Sequence, residues 1–244
     1  MATGDGVTRR EPANGAPAGL GERLAEVGRR IATAGSSPEA VKVVAVTKGF
    51  GQAVVCEAVA AGLMDLGENY ATELAGKACT ADAPDVKAQD TPGVRWHFLG
   101  AIQRNKVRSL APHVHLWQSV ARPEEGTAIA RWAPGAAVLV QIDPEGSSAG
   151  RNGCSEQAAP GLVGHLRQLG LEVRGLMIVG RRGEPEGARP GYRAVAGIAR
   201  RLGLPELSMG MTDDLEVAVQ EGATMVRVGR ALFGDRPPRL TLGQ

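Results

Sequence analysis

Lysine is scarce in this sequence. Of 28 basic residues only Lys42, Lys48, Lys77, Lys87 and Lys106 are lysines, and the other 23 are arginines. Arginine serves most solvated positive positions, whereas a lysine amine can lose its proton near neutral pH and form an imine with a carbonyl. Lys48 is distinguished from the other four by its place, directly after the aliphatic run Val41-Lys42-Val43-Val44-Ala45-Val46-Thr47. At a strand end it is either a solvated side chain or an amine partly desolvated, with its pKa lowered enough for Schiff-base chemistry with an aldehyde. A second run ends in Gly67-Glu68-Asn69-Tyr70, which sets a carboxylate, an amide and a phenol at one turn. Glu68 and Asn69 there either serve the first free amides of a following helix or face Lys48.

Two later segments carry anion-binding chemistry. Leu207-Ser208-Met209-Gly210-Met211-Thr212-Asp213-Asp214 ends a run with a hydroxyl and an Asp-capped helix, and Val226-Arg227-Val228-Gly229-Arg230 ends another with Gly-Arg. Ser208 can donate its hydroxyl to a phosphate, and Gly229 lets the backbone come close to one; each glycine also suits a simple turn. Arg227, two residues before Gly229, points into the interior with it and needs a partner. That partner is a core carboxylate such as Glu68 or Asp143, or the ring nitrogen of a bound aromatic ligand. His97, inside Trp96-His97-Phe98-Leu99, reads first as a hydrogen-bonded core histidine. His97, His113, His115 and His165 show no metal-type spacing, so no metal is expected.

These residues need a frame that brings strand ends together. Eight aliphatic runs serve as strands: Val41–Thr47, Leu63–Gly67, Val94–Leu99, Val114–Val120, Ala137–Asp143, Glu172–Val179, Glu206–Met209 and Thr224–Val228. Helical stretches alternate with them: Gln52–Ala61, Asn69–Cys79, Gln103–Leu110, Glu124–Trp132, Ser155–Leu169, Ala188–Leu202 and Asp213–Glu221. An amphipathic helix with Leu20, Leu24, Val27 and Ile31 on one face precedes the first strand, and residues 1–18 lack periodicity and read as a disordered leader. Runs such as VKVVAV and AAVLVQI suit a parallel sheet buried on both faces. Eight such units fit a (β/α)₈ barrel, whose active site lies at the C-terminal strand ends and whose phosphate sites follow strands seven and eight. A doubly wound open sheet is the competitor, but TKGFG after the first strand is no GxGxxG fingerprint. The expected organisation is a leader over 1–18 and one barrel domain over 19–244.

Composition excludes several classes. With 43% apolar and 22% charged residues the 244-residue chain can bury a sizeable core, and only 3% aromatics make that core aliphatic. A net charge of +2 argues against a nucleic-acid binder. No apolar run is long enough to span a membrane and the N-terminus lacks a signal-peptide centre, so a cytoplasmic protein is expected. Cys56, Cys79 and Cys154 are odd in number and scattered, which reads as free thiols.

An amine on the first strand and a phosphate cradle on the last two together describe a site for pyridoxal 5′-phosphate (PLP). The segments VAVTKGF, LGENY, WHFLGAIQRNK, GLM and LSMGMTDDLEVAVQEGATMVRVGRALFG resemble those of the pyridoxal-phosphate homeostasis proteins, single-domain relatives of the alanine racemase N-terminal barrel. The resemblance covers about residues 20 to 235. It implies that Lys48 is the Schiff-base lysine and that Asn69 lies beside the cofactor ring. It further implies that Ser208, Met209, Gly229 and Arg230 bind the phosphate and that Arg227 faces the pyridine nitrogen. The family commonly carries Ser or Thr where this chain has Arg230, so a hydroxyl donor is replaced by charge or by the backbone N–H alone. Gly49, Ala101 and the Gly150-Arg151-Asn152-Gly153 loop also depart from the family's pattern.

The resemblance implies a monomeric carrier or buffer of PLP in vitamin B6 and amino-acid homeostasis, with PLP-dependent apoenzymes as recipients and no catalytic turnover. A racemase of this fold needs a second acid/base, a tyrosine from an additional β domain. With about ten residues after Phe233, no such domain is expected, and neither Tyr70 nor Tyr192 matches that residue. The alternatives are a minimal PLP-dependent amino-acid racemase or a Schiff-base aldolase acting on a small phosphorylated sugar.

Overall fold

A computed structural model of the chain describes residues 19–81, 93–144, 152–181 and 183–236. The expected leader and the Gly150-Arg151 half of the loop noted above lie outside the described residues.

Eight strands, β1 (Lys42–Val46), β2 (Asp65–Glu68), β3 (Arg95–Phe98), β4 (Val114–Val120), β5 (Ala137–Ile142), β6 (Glu172–Ile178), β7 (Glu206–Ser208) and β8 (Met225–Val228), are all parallel. They close into a barrel in chain order, β8 returning to β1. Helix α1 (Leu20–Thr33) precedes the barrel, and α2 (Gln52–Ala60), α3 (Ala71–Ala81), α4 (Arg104–Leu110), α5 (Pro123–Trp132), α6 (Ala159–Gln168), α7 (Arg189–Leu202) and α8 (Leu215–Gln220) link successive strands. A short α9 (Arg230–Phe233) follows β8. No helix among the described residues is long and apolar enough to cross a membrane.

The near-continuous aliphatic strands serve two cores. Every residue of β5, Ala-Val-Leu-Val-Gln-Ile, is buried. Because successive side chains point to opposite faces, Leu139 turns to the barrel axis with Val44, Leu116, Met177 and Met225, while Val138, Val140 and Ile142 pack under the helices. Helix α1 lays Leu20, Val27 and Ile31 against the barrel. Its Arg30 reaches across to both carboxylate oxygens of Glu216 on α8 at 2.5 and 2.7 Å.

Strand positions agree with the periodicity to within two residues; the differences lie where helices start. The stretch read as helical from Ser155 becomes helical only at Ala159, because Cys154 is held in a bridge to Ile142 and Pro160 belongs in a first turn. Helix α3 begins at Ala71, leaving Asn69 and Tyr70 in the turn at the barrel mouth. Helix α9 is too short to leave a periodic signature.

Candidate functional site

At the C-terminal mouth of the barrel the strand ends enclose a cavity of about 330 Å³, a size suited to a small ligand. Lys48 after β1, Asn69 after β2, Arg227 on β8, and Gly229 and Arg230 at the β8–α9 turn line it together. Met211, Thr212, Asp213 and Arg236 complete its rim. Arg236 had no sequence signal: it is one arginine among many in a Pro-containing tail.

The end of β1 is held from behind. Gly49 takes φ of +78°, a left-handed conformation that turns the chain away after Lys48, and its N–H donates to Glu73 Oε2 at 2.8 Å. Thr47 Oγ1 donates to Glu68 Oε1 at 2.7 Å, and Lys77 Nζ donates to the same oxygen at 2.5 Å and to the Thr47 carbonyl at 2.8 Å. Glu68 therefore does not serve helix amides; it ties β1 to α3. Burial pushes its carboxyl pKa up, against the pull of Lys77 and Thr47. The Lys48 amine is held below its ordinary 10.5, first by burial and then by the positive charges of Arg236 and Arg227, with Glu68 acting the other way.

Asn69 is fixed by its backbone: a Cβ at Gly100 would lie 1.9 Å from the Asn69 carbonyl oxygen, so only glycine allows that close approach. The side-chain Oδ1 of Asn69 is buried without a hydrogen-bond partner among the described residues. A buried acceptor left in that condition costs free energy unless a ligand donor or water reaches it.

Arg227 pairs with neither Glu68 nor Asp143. Its Nη1 donates to Ser208 Oγ at 2.7 Å and its Nη2 to the Ile178 carbonyl at 2.8 Å. Burial works against its charge, opposed by Tyr192 and Asp214. An arginine nonetheless stays protonated at neutral pH.

Ser208 and Met209 are not on the cavity wall. In the barrel register Ser208 lies opposite Met225, two residues before Arg227, and so sits one interior layer deeper. Its hydroxyl accepts from Arg227 and donates to Gln118 Oε1 at 2.6 Å. The Met209 N–H donates to the Met225 carbonyl at 3.1 Å and its side chain packs in the outer core. Both groups that position alone offers to a phosphate are thus engaged inside the fold. Gly229 has a packing role as well: a Cβ there would come within 3.2 Å of the Val46 carbonyl oxygen. The Arg230 guanidinium is paired with Asp213, both largely exposed.

Hydrogen bonds fix two further segments at the mouth. Tyr192 OH donates to Asp214 Oδ2 at 2.6 Å, while Asp214 Oδ1 accepts from the Met211 N–H at 2.6 Å, which pins the loop that carries Met211, Thr212 and Asp213. Burial, then the Asp214 charge and hydrogen bond, raise the Tyr192 phenol pKa far above its usual value. Across the mouth, Asn152 Nδ2 donates to Gln141 Oε1 and the Ser119 carbonyl, both at 2.9 Å, tying Asn152 to β4 and β5.

These features define a class: a closed (β/α)₈ barrel with a lysine-bearing, electropositive small-molecule cavity at the C-terminal strand ends. The particular family follows from comparison with known proteins. Residues 23–237 match the model of the alanine racemase N-terminal domain, and the chain belongs to that family. It is 40% identical over 233 residues to the pyridoxal phosphate homeostasis protein of Pseudomonas aeruginosa, covering 89% of this chain and 96% of that one. With the protein of the same name from Deinococcus radiodurans the identity is 37% over 222 residues, covering 88% and 96%. Among solved structures, PipY of Synechococcus elongatus with PLP bound superposes with a TM-score of 0.72 at 29% identity, covering 88% of this chain and all of PipY.

Proposed function

We propose that this protein binds PLP in the mouth cavity and acts in PLP homeostasis, holding the cofactor reversibly rather than turning over a substrate. One observation carries the reading. A single small cavity gathers a primary amine held below its ordinary pKa, three guanidinium groups and an unpartnered amide oxygen. That donor set fits a phosphorylated aromatic aldehyde, with an amine for the carbonyl, cations for the phosphate and ring nitrogen, and Asn69 for the ring hydroxyl. The names of the relatives and the PLP-bound PipY support it.

When bound, the cofactor supplies an aldehyde that condenses reversibly with a primary amine. Lys48 is the attachment point, and the lowered pKa leaves a larger neutral, nucleophilic fraction at a given pH. Lys77, Glu68 and Thr47 hold the strand end that presents it. Arg227, on the cavity wall, would meet the ring nitrogen and disfavour its protonation, which would weaken the ring as an electron sink and restrain carbanion chemistry. Gly229 and Arg230, with the adjoining Thr212, receive the phosphate, and Arg230 must then share its guanidinium with Asp213. Ser208 and Met209 act from behind this set. The Tyr192 phenol, bonded to Asp214 with its pKa raised, is not available as an acid/base opposite Lys48.

On this reading residues 19–244 form one domain, working as a cytoplasmic monomer with PLP-dependent apoenzymes as recipients. Purified protein loaded with PLP turns yellow, and borohydride reduction fixes one pyridoxyl group per chain, which peptide mass spectrometry locates on Lys48. A chain that stays colourless with excess PLP defeats the reading. Sustained racemisation of added amino acids that disappears in Lys48→Ala favours an enzyme instead.

A further inference from the structure

The interior of a (β/α)₈ barrel is normally filled by aliphatic layers. Here a polar chain runs through it, built from five strands. Arg227 (β8) donates to Ser208 (β7) at 2.7 Å, and Ser208 donates to Gln118 Oε1 (β4) at 2.6 Å. Gln118 Nε2 faces His97 Nδ1 (β3) at 2.7 Å, and His97 Nε2 faces Asp65 Oδ1 (β2) at 2.9 Å. With the Gln118 amide in this orientation the directions follow. The Ser208 hydroxyl accepts from a guanidinium and has one proton, which goes to Gln118 Oε1; Gln118 Nε2 must therefore donate to His97 Nδ1. His97 then carries its proton on Nε2 and donates it to the Asp65 carboxylate. Turning the Gln118 amide over would aim its N–H₂ at Ser208, and would require His97 to be protonated on Nδ1 as well as donating to Asp65.

Every link in the chain donates the same way, from a cation at the cavity to an anion at the first residue of β2. Ser208, Gln118 and His97 are fully buried, and Asp65 and Arg227 are nearly so. At the far end Arg95 grips both Asp65 oxygens, at 3.0 and 2.6 Å, and Lys42 lies 3.9 Å away. A polar chain of this length inside a core costs desolvation, and hydrophobic replacements of the same volume would pack as well. It has one member on the cavity wall, Arg227.

We propose that Ser208, Gln118, His97 and Asp65 form a relay that positions Arg227 against the bound cofactor, with Gln118 as the central positioning residue. The relay aligns each dipole with the next and anchors the guanidinium through neutral acceptors, with no carboxylate hydrogen-bonded to it among the described residues, so the positive charge stays directed into the cavity. It assigns Ser208 to the ring end of the ligand and not to the phosphate. The inference rests on the PLP reading for its ligand, but not for its geometry.

The test uses Ser208→Ala, Gln118→Met and the hydroxyl-preserving Ser208→Thr, with circular dichroism to establish folding. PLP and pyridoxal, which lacks the phosphate, are titrated into each. Ser208→Ala and Gln118→Met should each bind PLP about tenfold more weakly and shift the visible band of the captured cofactor in the same direction. Pyridoxal binding should weaken by the same factor, and Ser208→Thr should restore both readouts. Asp65→Asn should shift the band the same way by less. A folded Ser208→Ala that loses its preference for PLP over pyridoxal shows a phosphate contact and overturns the proposal; unchanged band and affinity in folded Ser208→Ala and Gln118→Met overturn it equally. Arginine-selective ¹⁵N NMR of the unloaded protein reads the relay without cofactor. Separately resolved Arg227 Nη signals should merge in Gln118→Met as the guanidinium begins to rotate, and signals that stay resolved refute the relay. If the wild type takes up no PLP, the cofactor reading fails and this NMR comparison alone decides the relay.

Discussion

The two ends of the barrel treat charge in opposite ways. At the N-terminal end Asp65 is met by Arg95, His97 and Lys42, so each charge has its counterpart. At the C-terminal mouth Lys48 sits among Arg227, Arg230 and Arg236, and the buried Asn69 oxygen lacks a partner among the described residues. The first arrangement suits stability; the second leaves an electrostatic deficit that an anionic ligand relieves. Burial of a charged group is costly unless it is paired; Arg230 has Asp213, but Lys48 and Arg227 have no carboxylate hydrogen-bonded to them among the described residues, which leaves the mouth with excess positive charge.

Removing a charge at the two ends should therefore move stability in opposite directions, whereas loss of a neutral hydrogen bond is destabilising at either. Asp65→Asn should be the most damaging. It strips the far anchor from Arg95 and His97, and should cost ~3 kcal/mol in urea unfolding, while borohydride still fixes PLP on Lys48. Burial alone would raise the Asp65 carboxyl pKa, but the His97 and Arg95 hydrogen bonds hold it well below its ordinary 3.8. Its contribution is thus fully present above 3.8 and is lost as pH falls through the lower folded value. The Asn variant should lack this acid-induced loss; equal acid sensitivity in both proteins would remove Asp65 as the cause. Tyr192→Phe, which leaves Asp214 with one donor fewer at the mouth loop, should cost about 1–2 kcal/mol by the same measurement.

Lys48→Met should raise stability near neutral pH, by roughly 0.5–1 kcal/mol, because the folded chain disfavours the charged amine. The folded pKa lies below 10.5, so the wild type gains stability as pH rises between the folded value and 10.5, and the advantage of the variant should vanish above that window. A Lys48→Met protein less stable than wild type at pH 7 would mean that the mouth is not electrostatically strained. The smallest effect belongs to Arg236→Ala, on the exposed rim. Without that charge the Lys48 pKa should move up toward its ordinary value, so the pH midpoint for PLP capture should rise. PLP affinity should fall about two- to fivefold, less so in high salt.

Much of this architecture is legible in the chain itself. Strand content, strand order and the helices between them follow from alternating aliphatic runs and 3.6-residue periodicity, which are local properties. Lys48 is legible because scarcity and position at a strand end coincide, and Gly229 because a glycine closes the last run. Ser208 shows where such reading stops. Its place at the end of β7 suggests a phosphate contact, yet the register of β7 with β8 sets it a layer below the cavity, with its hydroxyl between Arg227 and Gln118. Glu68 reads as a helix cap from its neighbours, but its partner, Lys77, lies nine residues on, where only the packing of α3 on β2 brings the amine back. Arg236 and Gln118 carry no sequence signal at all.

What the sequence by itself determined is the barrel and the lysine at its mouth, because hydrophobic period and residue chemistry are written into neighbouring positions. What only the tertiary structure decided is which groups face the mouth cavity and which hold them there. Barrel closure sets residues from distant strands at hydrogen-bond distance, and an offset of two residues in strand register separates a cavity-lining group such as Arg227 from a buried support such as Ser208.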